Sequence, residues 1–278
     1  MSTARALQLC PDVILAPHRF EAYQEVSRQI RAIFAEYTDQ IEPLSLDEAY
    51  LDVTDNKKSM ASATLMAREI KRRIQENTQL TASAGVSYNK FLAKVASDYQ
   101  KPDGLFVITP DQAEAFIDRL PVGHFYGIGK KTEPRLRALG IHTGQDLKAL
   151  PEEEMVRLFG RSAAFYYHLA RGRDDRPVES EWIRKSIGVE NTFENDLDDR
   201  HEMLQALAPL AEEVFAWMRR HNTYGRTLTL KIKYADFQQI TRSRTMDEPF
   251  GTLEDLMSLL RELFHLTRND TLKVRLLG

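Results

Sequence analysis

Apolar residues recur at helix-like intervals from Arg19 to Tyr37 (Phe20, Tyr23, Val26, Ile30, Ile33 and Tyr37), which predicts a long amphipathic helix. Ser2–Leu9 has helical composition and stops before Pro11. The run IEPLSLDEAYLDVT holds two short β-prone segments with Pro43 before their junction, the pattern of a hairpin. Ser59–Gln75 predicts a second helix, basic on one side at Arg68, Lys71 and Arg72. Thr81–Ser87 then reads as a small buried strand, Asn89–Tyr99 as a short helix, and Leu105–Ile108 as a strand after the turn at 101–104. From Pro110 to Arg173 short helices replace strands, and the charged, aperiodic run Arg171–Glu181 reads as a linker.

Beyond it the order is strand (Lys185–Phe193), helix (His201–Arg220), strands (Arg226–Tyr234 and Ile240–Met246), helix (Thr252–Thr267) and a last strand from Thr271 to Leu277. That β-α-β-β-α-β order covers one sheet face with two helices and leaves the other open. Alternation places Leu228, Leu230, Ile232 and Tyr234 on one side, and Thr227, Thr229, Lys231 and Lys233 on the other. Arg242 and Arg244 share a face, Lys273 and Arg275 oppose Leu272, Val274 and Leu276, and Lys185 starts the first strand. The expectation is that these cations line the open face, with the acidic residues, Asp196 among them, largely outside the strands. A solvated sheet gives the same alternation, but like charges on adjacent strands repel unless an anion lies over them. Repetition therefore favours contact with a nucleic-acid backbone.

Composition narrows the classes. With 38 basic and 41 acidic residues in 278, the net charge of −3 excludes a nonspecific polycation, so positive charge matters only where one surface gathers it. No apolar run reaches the roughly 20 residues a membrane helix needs, and no membrane partner is expected. The single cysteine, Cys10, excludes an internal disulfide and points to the reducing cytoplasm. The seven histidines are scattered, without metal-ligand spacing.

Two motifs carry candidate chemistry. The segment PVGHFYGIGKKTEPRLRALG fails the phosphate-loop pattern, because His124 and Lys131 stand where glycine and a hydroxyl residue are required. It fits a helix–hairpin–helix, with Gly127 and Gly129 letting a phosphate approach the backbone beside a basic helix carrying Lys130, Lys131, Arg135 and Arg137. An ordinary helical corner uses glycines the same way; the second basic surface favours phosphate. The other motif is the acidic pair Asp47 and Glu48, flanked by apolar residues. Adjacent carboxylates reach one place only if a turn or strand entry separates them, and there they suit Mg²⁺; a solvated turn is the plain alternative. Asp52 lies further along and reads as structural.

SLDEAYLDVT, TASAGVSYNKFLAKVASDYQKPDG, GIGKKTEPRLRALGIHT and RKSIGVENTF follow one another as in the Y-family DNA polymerases, and the chain most resembles the bacterial DNA polymerase IV group, translesion enzymes of the damage (SOS) response. The resemblance runs from Arg5 to Leu277. It implies an α+β chain: the tail of the fingers plus an incomplete palm layer (1–109), a small helical thumb with the helix–hairpin–helix (110–173), a linker (174–183) and a βαββαβ little finger (184–278). By resemblance Asp47 and Glu48 are metal-binding catalytic carboxylates for two Mg²⁺ ions, and Lys101 contacts the triphosphate of an incoming deoxynucleoside triphosphate. Residues 127–132 grip the primer backbone, and the strands after Lys185 form a DNA-facing sheet for primer–template DNA.

The implied chemistry is in-line phosphoryl transfer with little proofreading. The family's first catalytic strand, with its aspartates and aromatic sugar gate, has no counterpart here: Met1 matches the interior of the fingers, and Gly278 falls within the last strand, before the sliding-clamp peptide. The expectation is thus an N-terminally truncated polymerase, its palm exposing an unpaired edge, that binds DNA and polymerises poorly or not at all. The alternative is a non-catalytic DNA-binding fragment. A Mg²⁺-dependent nucleotidyl cyclase is a weaker third reading, because it gives the basic sheet no role.

Overall fold

The computed structural model describes residues 3–181, 183–267 and 272–278. Contacts divide the chain into two compact units, Met1–Trp182 and Ile183–Gly278.

The first unit opens with α1 (Thr3–Leu9) and α2 (Phe20–Ala35). Only the C-terminal half of the expected apolar stripe on α2 is covered: Ile33 and Tyr37 are buried, whereas Phe20 and Tyr23 face solvent. The hairpin β1 (Ile41–Pro43) and β2 (Ala49–Leu51) is antiparallel. The next helix, α3 (Ala63–Thr78), begins four residues later than the periodicity indicated. Ser59 takes a left-handed turn, and Ser62 caps the helix by accepting the Leu65 N–H at 3.3 Å. Met66, Ile70 and Ile74 of α3 pack on Ile33 of α2 and on Tyr37 just beyond its end.

The strands β3 (Ala84–Val86) and β4 (Leu105–Val107) run parallel on either side of α4 (Lys90–Tyr99), whose cap is Asn89. β3 lies so close to α4 that a Cβ on Gly85 would stand 2.1 Å from the Ala93 carbonyl oxygen. The two pairs, β1–β2 and β3–β4, form separate sheets among the described residues.

Short helices follow: α5 (Pro110–Arg119), α6 (Thr132–Ala138), α7 (Gly144–Ala149), α8 (Glu152–Phe159) and α9 (Ala163–Leu169). Phe91, Leu92 and Val95 of α4 share one apolar core with them, through Val122, Phe125, Leu136, Leu147 and Leu169. Residues 173–181 contain no helix or strand, yet they are tied down. Asp174 accepts the Phe91 N–H at 2.9 Å, and the Pro177 carbonyl accepts from Lys90 at 3.0 Å.

The second unit is β5 (Asn191–Leu197), α10 (Arg200–Arg220), β6 (Thr227–Tyr234), β7 (Gln239–Thr245), α11 (Leu253–His265) and β8 (Val274–Leu277), the expected order. The sheet runs β5-β8-β6-β7, all antiparallel. The first strand begins at Asn191, not Lys185; the expected start of the last strand, Thr271, lies outside the described residues. Met203, Leu207, Leu230, Ile232, Leu260 and Phe264 centre a core between one sheet face and both helices. Arg200 crosses from α10 to the Phe264 and Thr267 carbonyls at 3.0 and 2.9 Å, closing the end of α11.

Candidate functional site

The acidic pair sits on the turn of the first hairpin, where strand alternation does not apply. Ser45 organises that turn: its Oγ donates to Asp47 Oδ1 at 2.6 Å and accepts the N–H groups of Asp47 and Glu48 at 3.3 and 3.1 Å. The Leu44 and Ser45 N–H groups close it by donating to the Glu48 carbonyl. Asp47 is exposed and Glu48 half-buried at the entry to β2.

The structure adds two residues that sequence reasoning missed. Lys94 Nζ donates to Glu48 Oε1 at 2.9 Å and lies 3.6 Å from Asp98 Oδ2. Lys101, the expected triphosphate lysine, pairs with the other Asp98 oxygen at 2.5 Å. Burial works to raise the Asp98 carboxyl, but the Lys101 hydrogen bond and the two ammonium charges outweigh it, so its pKa falls. Lys101 is pushed up by its bond to Asp98, with Glu48 and Asp47 adding to the effect. Asp47, Glu48, Lys94, Asp98 and Lys101 thus form one electrostatic cluster. The legible signal was the helical i, i+4 spacing of Lys94 and Asp98 just before Lys101.

Among the described residues no group of three or more His, Cys, Asp or Glu is gathered to hold a metal. The donor set is two hard carboxylates, one of them already holding an ammonium. This suits a divalent ion that completes its shell with water and phosphate oxygens. Asp52 accepts the Thr54 N–H at 2.9 Å in the turn after β2.

In the glycine hairpin, Phe125 and Ile128 are buried and anchor a loop whose other residues are open. Gly127 has φ +85°, and a Cβ there would meet the Tyr166 hydroxyl at 2.7 Å; at Gly129 nothing lies within 4 Å. The helix starts at Thr132, so Lys130 and Lys131 lie in the exposed turn before it rather than on it. Pro134 falls in its first turn, where no internal N–H is needed. Arg137 is engaged with Glu133 at 2.8 Å.

The sheet of the second unit departs from the expected face in four respects. Lys185 precedes the sheet and lies in no strand. Arg242 and Arg244 stand opposite Leu230 and Leu228, and paired residues point to the same face, so both arginines lie on the helix side. A register shift in the β6–β8 pairing breaks alternation: Leu276 falls opposite Lys233, while Leu277 takes the buried place opposite Ile232. Asp196 lies within β5 and faces Arg275 at 3.4 Å.

The open face carries Thr227, Thr229, Lys231 and Lys233 of β6 beside Thr245, Ser243, Thr241 and Gln239 of β7. It is rich in hydroxyls, and its cations are partly engaged: Lys231 pairs with Glu190 at 2.6 Å, and Lys233 and Arg275 both lie over the Phe237 ring. Lys273 pairs with Asp198 at 3.0 Å.

Comparison with known proteins is consistent along the whole chain. Residues 1–98 match the impB/mucB/samB family, residues 110–141 the IMS family HHH motif, and residues 184–278 the impB/mucB/samB family C-terminal domain. The chain is 53% identical to DNA polymerase IV of Alkalilimnicola ehrlichii, over 100% of this chain and 78% of that protein. It is 49% identical to DNA polymerase IV of Bacteroides fragilis, over 100% of this chain and 76% of that protein. Among solved structures, a Y-family DNA polymerase chimera of Dbh and Dpo4 superposes with a TM-score of 0.90 at 28% identity, covering 100% of this chain and 80% of that one. The insertion ternary complex of Dbh DNA polymerase gives 0.65 at 28% identity, with the same coverage.

Proposed function

The chain belongs to the Y-family DNA polymerases, the DNA-directed enzymes of the impB/mucB/samB family, and we propose that it serves template-directed synthesis past lesions in the bacterial cytoplasm during the damage response. The observation that carries this reading is the cluster on the acidic turn, where two carboxylates and Lys101 share one electrostatic neighbourhood.

In this reading Asp47 and Glu48 hold Mg²⁺, and Lys101 leaves Asp98 for the triphosphate of an incoming deoxynucleoside triphosphate. The exposed amides around Gly129, with Lys130 and Lys131, track the primer backbone. Lys231, Lys233 and the hydroxyls beside them hold primer–template DNA, with Lys185, Lys273 and Arg275 at the margins and Arg242 and Arg244 contributing least. Mg²⁺ held by Asp47 and Glu48 would supply the Lewis-acid chemistry that in-line phosphoryl transfer needs. A sliding clamp is the further partner that the family implies.

Two carboxylates stand on the turn without a third among the described residues. The 278 residues by themselves are therefore proposed to bind DNA and to extend primers poorly. Primer extension with Mg²⁺, on plain and abasic templates, tests this beside DNA affinity measured by fluorescence anisotropy. Tight, salt-dependent binding with weak extension is expected. Robust extension by this chain would overturn the inactivity, and its loss in Asp47→Ala at unchanged DNA affinity would assign the chemistry to Asp47. Absence of DNA binding at low salt would overturn the whole reading.

A further inference from the structure

Among the described residues Lys94 is the cation bonded to a carboxylate of the acidic turn, with Nζ 2.9 Å from Glu48 Oε1. The same ammonium is 3.6 Å from Asp98 Oδ2, one helical turn along α4. Asp98 is held on its far side by Lys101 at 2.5 Å. The four groups alternate in sign: carboxylate, ammonium, carboxylate, ammonium. Lys94 stands between two acceptors, close to one and within easy reach of the other. A lysine ammonium is a compact charge on a flexible stem and can change partners without moving the backbone.

We propose that Lys94 is a place-holding cation. It neutralises Glu48 in the free protein, and passes to Asp98 when a divalent ion takes that carboxylate. This rests on the reading of Glu48 as a metal ligand.

The physical requirement is an alternative acceptor. An ammonium displaced from Glu48 stays beside an incoming dication, and like charges at that separation repel strongly where the surroundings are partly shielded from water. The side chain of Lys94 is 28% exposed, so shielding is partial and the repulsion counts. Asp98 offsets it by offering the ammonium a second carboxylate, 3.6 Å from its present place, in exchange for Glu48. Its own place is fixed by Lys101, which makes Asp98 a positioning residue that acts through Lys94.

The arrangement demands effects of opposite sign. Lys94→Met removes the competitor for Glu48 and should tighten divalent-ion binding by about three- to tenfold at low ionic strength. Asp98→Asn removes the acceptor and should weaken it by about threefold in the presence of Lys94, yet by less than about twofold in the Lys94→Met background. Lys101→Met removes an equal charge that is bonded to Asp98 and not to Glu48, and should tighten binding by less than Lys94→Met does.

The test is a Mn²⁺ titration of the 278-residue chain without nucleotide or DNA, following loss of the free-ion electron paramagnetic resonance signal. Thermal melts check folding, and Lys94→Gln replaces Lys94→Met if the latter does not fold. The expected result is tighter binding in the Lys94 variant, weaker binding in Asp98→Asn, and loss of the second effect in the double variant. Weakened or unchanged Mn²⁺ affinity in the Lys94 variant would overturn the proposal. So would an Asp98→Asn effect equal in both backgrounds, or tightening by Lys101→Met as large as that of Lys94→Met. Glu48→Gln separates the two readings: if it leaves Mn²⁺ affinity unchanged, the metal role of Glu48 falls and this inference with it. If it weakens binding while Lys94→Met does not tighten it, only this inference falls.

Discussion

Arg242 stands directly opposite Leu230 across the β6–β7 ladder, on the side of the sheet that the helices cover. Its neighbour Arg244 shares that side and reaches Glu262 of α11 at 2.6 Å. The outer strand therefore offers the open face a row of hydroxyls, Thr245, Ser243 and Thr241, rather than guanidinium groups. Lys231 and Lys233 remain as the strand-borne lysines of that face.

Charge on the open face should govern the electrolyte dependence of DNA binding. Replacing Lys231 and Lys233 together by alanine should weaken duplex affinity and flatten the plot of log affinity against log salt by about one to two units, roughly one per lost phosphate contact. Replacing Arg242 and Arg244 should leave that slope unchanged, since Arg244 is engaged with a helix carboxylate on the other side. Fluorescence anisotropy at several salt concentrations between 50 and 200 mM, the range over which such contacts are felt, reads both. The reverse ranking would place DNA on the helix side.

The two hairpin glycines should separate folding from binding. Gly127→Ala puts a side chain at φ +85° and against the Tyr166 hydroxyl, so thermal stability should drop by about 1 kcal/mol or more. Gly129→Ala meets nothing within 4 Å, so melting should be nearly unchanged while DNA affinity falls through the methyl group placed before the backbone. A Gly129 variant with unaltered affinity would remove that loop from the interface.

Much of this was legible in the chain because periodicity reports burial. The alternation of Leu228, Leu230, Ile232 and Tyr234 survives in the core, with Leu228 half-buried at its edge. The turn that carries Asp47 and Glu48 was legible because it separates two short β-prone runs, which pair as a hairpin. Register was not. An even spacing shows which residues share a face, but pairing with β6 decides which face Arg242 takes, and a bulge decides where Leu276 goes. Lys94 stayed hidden among helix-surface lysines because its partner Glu48 is distant in sequence.

Tyr50 should be better replaced than kept, as far as stability is concerned. Its hydroxyl is buried without a hydrogen-bond partner, and burial pushes its pKa up to about 12. The ring packs under the Lys90 ammonium at 5.1 Å, a contact that phenylalanine preserves. Tyr50→Phe should therefore be neutral or stabilising by up to about 1–2 kcal/mol, the release of an unpaired buried hydroxyl. Urea denaturation at pH 7 measures it, and a loss above about 1 kcal/mol would mean that the hydroxyl has a partner in solution.

Asp174 should give the first unit part of its acid sensitivity. Its side chain is 1% exposed, grips Arg176 through both oxygens at 2.7 Å, and accepts the Phe91 N–H at 2.9 Å. Burial alone would raise its pKa; the Arg176 hydrogen bonds and charge, aided by the Arg176 and Phe91 backbone N–H groups, carry it below the usual carboxylate range. A carboxylate with a depressed folded pKa contributes stability that is fully present above its unfolded value, near pH 4, and is lost as pH falls through the folded value. Asp174→Asn should cost about 2–3 kcal/mol at pH 7, because it leaves Arg176 without its counter-charge over the Tyr126 and Phe165 rings. The gap from the unmodified chain should then narrow as pH drops below about 4, where the native carboxylate is itself becoming protonated. Other depressed carboxylates, Glu42 and Asp98 among them, add to the acid transition of both proteins and cancel in the difference. Urea midpoints at half-unit steps from pH 7 to pH 3 provide that difference. A gap that stays constant, or widens toward acid, would show that Asp174 supports the fold by shape rather than by charge.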